Sequence, residues 1–158
     1  MKRSVKAGFS FGLTSGVITT LGLMVGLHSS THSKLVVIGG ILTIAIADAL
    51  SDSMGIHIAV ESQNKFTTKE TWEATISTLF CKFVFSAVFI LPVLLLELRK
   101  AIIVCILFGM YLIFAESLTI ARERNADPWK VIGEHLAITT IVIFATHHLG
   151  HFISLVFG

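Results

Sequence analysis

No Asp, Glu, Lys or Arg lies between Lys6 and Lys34, and the residues in that interval are mostly apolar. An uncharged apolar stretch of roughly 18 residues or more is long enough to cross the hydrocarbon core of a bilayer as a helix. Similar stretches recur down the chain. They predict spans at about Ala7–Leu27, Leu35–Val60, Ile76–Leu96, Ala101–Ala121 and Val131–Phe157. The expected fold is all-α, an integral membrane bundle of five transmembrane helices forming a single domain over residues 1–158, since no Gly/Ser/Pro-rich linker divides the chain. The third span carries Lys82 near its start and Pro92 near its end. Lys82 is expected to snorkel toward the interface, and a proline is tolerable in a packed membrane helix.

Composition points the same way: 54% hydrophobic and 14% charged, against about 25% charged in ordinary soluble domains. The net charge of +2 adds little, and a cleaved leader is not expected. Cys81 and Cys105 form neither a disulfide framework nor a paired metal motif, and are expected to pack as apolar residues. Lys2, Arg3, Lys6, Lys65, Lys69, Arg122, Arg124 and Lys130 fall on one side of the spans, against Lys34, Arg99 and Lys100 on the other. That asymmetry predicts a cytoplasmic N-terminus and, with five spans, a C-terminus on the opposite side. His28, His32, His147, His148 and His151 gather at the non-cytoplasmic ends, whereas Glu61, Glu70, Glu73, Glu123 and Glu134 sit at the cytoplasmic side.

The chemistry is concentrated in span two. Asp48 and Asp52 are four residues apart and share a helical face. Ionisable groups at membrane depth cost at least a few kcal/mol, so a carboxylate pair there suggests a polar path or site. The pair could ligate a divalent cation or exchange a proton for one; alternatively it hydrogen-bonds hydroxyls such as Thr14, Ser15 or Thr19. Met54, His57 and Glu61 form a second face roughly opposite Asp52, whose thioether and imidazole favour softer metals. Glu116 and Glu134 are further candidate ligands, although Glu134 could instead serve a helix N-terminus through the dipole. His147 and His151 have a spacing suited to a shared metal, or simply hydrate a helix end. In span one, Gly8, Gly12 and Gly16, continued by Ser15, Thr19, Gly22 and Gly26, predict close helix packing, with a pore lining or dimer interface as the other possibility.

Residues Gly12 to Gly26 (GLTSGVITTLGLMVG), Ser51 to Gly55 (SDSMG) followed by Glu61-Ser62, and the order and length of the last three spans resemble the vacuolar iron transporter family of divalent iron and manganese exporters. The resemblance implies a homodimer of five-helix subunits, a cation path along the first two helices, and exchange of Fe²⁺ or Mn²⁺ against protons, with Met54 matching the family's substrate-contacting methionine. Two departures stand out. Ser15 occupies the position before Gly16 where the family has an aspartate, a loss that Asp48 and Asp52 would make good from span two. The link from Glu61 to Trp72 is too short for the helical cytoplasmic metal-binding domain, leaving Glu61, Glu70 and Glu73 as a minimal cation collector.

The expectation is a non-enzymatic, proton-coupled exporter of a divalent transition metal. It takes Fe²⁺ or Mn²⁺ as substrate rather than cofactor and has no nucleic-acid partner. Asp48, Asp52, Met54, His57, Glu61, Glu116 and Glu134 are the candidate ligands, with Ser15 and Thr19 along the path. It would sit in the plasma membrane of a prokaryote, or in a vacuolar or other organelle membrane of a eukaryote. No nucleotide-binding loop or catalytic triad competes. The rivals are a membrane haem protein ligated by histidines from spans one, two and five, and a non-transporting membrane subunit.

Overall fold

The computed structural model describes residues 2–158. They form helices α1 (Arg3–Thr31), α2 (Lys34–Glu61), α3 (Thr68–Ala87), α4 (Ile90–Leu95), α5 (Leu98–Glu123) and α6 (Pro128–Phe157). With α3 and α4 taken as one interrupted rod, five helical segments are long and apolar enough to cross a membrane. The first and fourth extend beyond the expected spans at both ends and the fifth only at its start, because charged and polar turns continue the apolar cores. The third begins eight residues before Ile76, where Thr67 and Glu70 form a capping box: Glu70 Oε2 accepts from the Thr67 amide at 2.9 Å, and Thr67 Oγ1 accepts from the Glu70 amide.

Pro92 explains the break between α3 and α4. It has no N–H for the Val88 carbonyl, and its ring crowds that carbonyl. The chain tightens instead into three-residue turns, with Phe89 N–H donating to Ser86 O and Leu91 N–H to Val88 O. The other connections are short. His32 ends α1 in the left-handed region (φ 51°), while Asn64 and Asn125 take the same conformation in the next two polar links, a region that asparagine enters more readily than most residues.

Helix α1 is the central post and touches α2, α3, α5 and α6. Its glycine face meets α3: a Cβ at Gly8 would lie 2.3 Å from the Ala74 carbonyl oxygen, and one at Gly12 would lie 2.8 Å from that of Thr78. The dimer interface considered for this face is therefore corrected. Gly8, Gly12 and Gly16 are spent on packing within the chain, because only glycine lets the two backbones come this close. Val17, Leu21 and Met24 continue α1 into a core with Val37, Ile41, Phe89, Val93 and Ile113. Cys105 is buried in that core and Cys81 is half-buried, both as free thiols.

The outside is as apolar as the inside. Leu42, Ile46 and Leu50 on α2, Phe80 on α3, Leu107 on α5 and Ile141, Phe144 and Leu155 on α6 are all exposed. The two ends are polar. Lys2 pairs with Glu73 and Lys6 with Glu123 at one end, and at the other Lys34 Nζ donates to the carbonyls of Leu94 and Leu96 at 3.0 and 3.1 Å.

Candidate functional site

Asp48 stands 14 residues from the start of α2 and 13 from its end, roughly 20 Å from either terminus at about 1.5 Å per residue. Asp52 follows one turn later, as its spacing requires. Between them sits a group that sequence reasoning placed elsewhere. Lys82 does not snorkel: its side chain is fully buried, with Nζ 2.6 Å from Asp48 Oδ2 and also paired with Asp52 Oδ2. Lys82 lies midway along the α3–α4 rod, about 20 Å from the nearer end at about 1.5 Å per residue, too far for its stem to reach an interface. Two carboxylates near at hand supply the alternative.

Ser15 completes the cluster from α1. Lys82 Nζ donates to Ser15 Oγ at 2.9 Å, and Ser15 Oγ donates to Asp52 Oδ2 at 2.7 Å. The glycine contact between α1 and α3 makes this possible, since Gly16 packs directly on the Lys82 backbone and Cγ. Three helices thus converge on one polar point. With all three groups ionised, one ammonium faces two carboxylates, and the cluster carries a formal charge of −1.

The cluster opens sideways. A groove of about 710 Å³ runs between α1 and α2, with Thr19, Asp48 and Ser51 among its polar walls and Leu23, Leu27 and Ile44 among its apolar ones. The carboxylate side chains remain 28% and 25% exposed while Lys82 is wholly enclosed. A cation entering the groove would therefore meet Asp48 before the ammonium. Thr19 Oγ1 is tied back to the Ser15 carbonyl at 2.8 Å, so of the hydroxyls considered as partners only Ser15 bonds an acid.

The remaining candidates lie apart. Met54 is 56% exposed on the flank of α2, roughly 200° round the helix from Asp52 at about 100° per residue, so it does not join the acids within one chain. His57 turns toward α3, its Nδ1 3.0 Å from Thr75 Oγ1 and its ring 4.8 Å from that of Trp72. With Glu61 it lines a separate polar pocket of about 200 Å³. Of the proposed acidic collector, Glu70 is engaged by its cap and Glu73 by Lys2 and Ser4, leaving Glu61. Glu116 is buried within α5, next to Ser117, whose hydroxyl is 2.8 Å from His135 Nδ1. Glu134 is exposed and stands beyond the first turn of α6, so it does not serve the helix N-terminus; Asp127 caps that end instead, accepting from Trp129 N–H at 3.0 Å. His147 Nδ1 lies 2.8 Å from Ser29 Oγ. Among the described residues, no three His, Cys, Asp or Glu side chains converge as a metal site.

Comparison with family models, with characterised proteins and with solved structures finds no match. Lys82 was the missed residue, and a signal for it existed: it is the one charged side chain between Glu73 and Glu97, and the neighbouring span holds two acids with no other cation at that depth.

Proposed function

We propose that the chain is an integral membrane transporter of divalent transition-metal cations such as Fe²⁺ or Mn²⁺, with Asp48 and Asp52 as ligands and Lys82 as the resident cation that holds their seat. The observation that carries this reading is the two-to-one ratio of carboxylates to ammonium at the middle of three helices. A tie serving stability alone needs one acid for one base, and a second acid adds a desolvation cost without a matching partner. A site that exchanges cations uses both carboxylates. A dication binding them cancels their charge, and the ammonium keeps the Ser15 hydroxyl as a partner.

Two acids do not complete a metal's coordination shell. The hydroxyls of Ser15, Thr19 and Ser51, water, and a second copy of the chain across the open groove are the available complements. The homodimer thus belongs to this proposal through the α1–α2 groove rather than the glycine face, and exposed Met54 contributes its thioether only from such a partner. Proton coupling follows if a proton takes the dication's place on a carboxylate. A cytoplasmic N-terminus and export complete the reading.

The second reading is a non-transporting subunit in which Lys82 simply pins α2 to α1 and α3; its complete enclosure favours that view. Flux in proteoliposomes across Fe²⁺, Mn²⁺, Co²⁺, Zn²⁺ and Ca²⁺ separates the two. The parent should carry at least one transition metal, and Asp48→Asn and Asp52→Asn should abolish that flux. Absence of flux for every ion, or Asn variants that match the parent rate, would remove the transport assignment.

A further inference from the structure

At the end of the bundle opposite the N-terminus, α1, α5 and α6 line a second, open cavity of about 390 Å³. Its lining combines Arg99, His28 and His147 with apolar side chains that include Ile103, Ile106 and Phe144. We propose that this cavity binds an anionic phospholipid, the phosphate at Arg99 and the imidazoles, one acyl chain over the isoleucines. The proposal rests on the chain spanning a membrane and is independent of what the chain transports.

Two unpartnered polar groups point to the headgroup. Among the described residues, Arg99 is exposed and makes no ion pair and no side-chain hydrogen bond, although the other charged side chains at this end are engaged, Lys100 with Glu97 at 2.9 Å and Lys34 with two carbonyls; His147 keeps only Nε2 for a ligand, its Nδ1 lying 2.8 Å from Ser29 Oγ. His28 Nδ1 is buried and lacks a hydrogen-bond partner. The nearest carboxylate along the chain, Glu97, is paired with Lys100 and does not line the cavity. A buried polar atom without a partner is costly, and a guanidinium matches a phosphate in charge and in its forked donor geometry. Arg99 also lies in the first turn of α5, where the helix dipole favours an anion. The apolar lining, exposed on the outer surface, selects a lipid over a soluble phosphate, because an acyl chain covers those side chains and inorganic phosphate does not.

The test uses the full chain in mild detergent, stripped of lipid, with native mass spectrometry against phosphatidylglycerol and phosphatidylcholine of identical acyl chains. The parent should retain one phosphatidylglycerol per chain at lipid concentrations at least about tenfold below those needed for phosphatidylcholine, the scale set by charge-assisted hydrogen bonds. Arg99→Gln should erase that preference, Arg99→Lys should keep part of it, and Lys100→Gln should leave it intact. Ile103→Trp, a change at an exposed position that fills the cavity without altering charge, should evict the lipid and serves as the check if Arg99→Gln does not fold. Equal retention of both lipids by the parent, an unchanged preference in Arg99→Gln, or displacement of the lipid by millimolar inorganic phosphate would overturn the proposal. Metal flux does not enter the readout, so loss of the transport assignment leaves this test standing.

Discussion

Replacing Lys82 by Met removes a charge from the middle of the bundle while keeping a long apolar stem. Asp48 and Asp52 then face each other without a cation, and Ser15 loses one of its two partners. Removing one side of a buried ion pair costs about 3–5 kcal/mol, because the remaining charge is left uncompensated. The two carboxylates here are about a quarter exposed, which places the expected loss near the lower end, about 3 kcal/mol. Asp48→Asn should behave differently. It leaves Lys82 paired with Asp52 and bonded to Ser15, a balanced pair, so stability should change by less than about 1 kcal/mol. The triple variant Lys82→Met, Asp48→Asn, Asp52→Asn has no charge left to compensate and should recover most of the loss. Reversible unfolding by SDS titration in mixed micelles reads all three differences. If Asp48→Asn proves as damaging as Lys82→Met, or the triple variant is less stable than Lys82→Met alone, the two-to-one description of the cluster is wrong.

Gly12→Leu should unfold or mispack the bundle, since even its Cβ would lie 2.8 Å from the Thr78 carbonyl oxygen; overpacking of this kind typically costs about 1–3 kcal/mol, often more where backbone must move. Gly55→Ala, with no atom within 4 Å of the added Cβ, is the matched control and should leave the melting temperature unchanged or raised; equal melting of the two variants would contradict the α1–α3 contact. Accessibility labelling of terminal tags in membrane vesicles should place the two ends on opposite sides, as five crossings require, and labelling from the same side would mean that the α3–α4 rod does not cross.

The helices and their order could be read from the chain because apolar length is a local property: each stretch identifies itself without reference to its neighbours. The boundaries were less accessible. Thr67 and Glu70 extend α3 by polar capping, which hydropathy does not register. The Asp48/Asp52 face followed from helical period alone, whereas Ser15 was one of three hydroxyls named as partners, and only helix packing singles it out. Lys82 was misplaced because a lysine in an apolar span has two outcomes, snorkelling or burial against acids, and the choice depends on which helix packs beside it. That information lies in the glycine face of α1, 66–74 residues earlier in the chain. Met54 was placed on a face opposite Asp52 by the same period, and the structure leaves it exposed on that flank.

The buried lysine also bears on how the chain is made. A lysine at the centre of a helix costs roughly 2.5–3.5 kcal/mol for insertion through the translocon. The α3–α4 rod is strongly apolar even with the lysine counted, with a mean hydropathy of 2.3, which offsets that cost. Synthesis runs from the N-terminus, so Ser15, Asp48 and Asp52 leave the ribosome before Lys82 does. In a chain that spans the membrane as proposed, the lysine would enter a bilayer that already holds its counter-charges, whereas α2 would wait with two unmatched acids until α3 arrives. Biogenesis would then be directional: moving the first two helices behind the third would present the lysine to lipid with no acceptor in place.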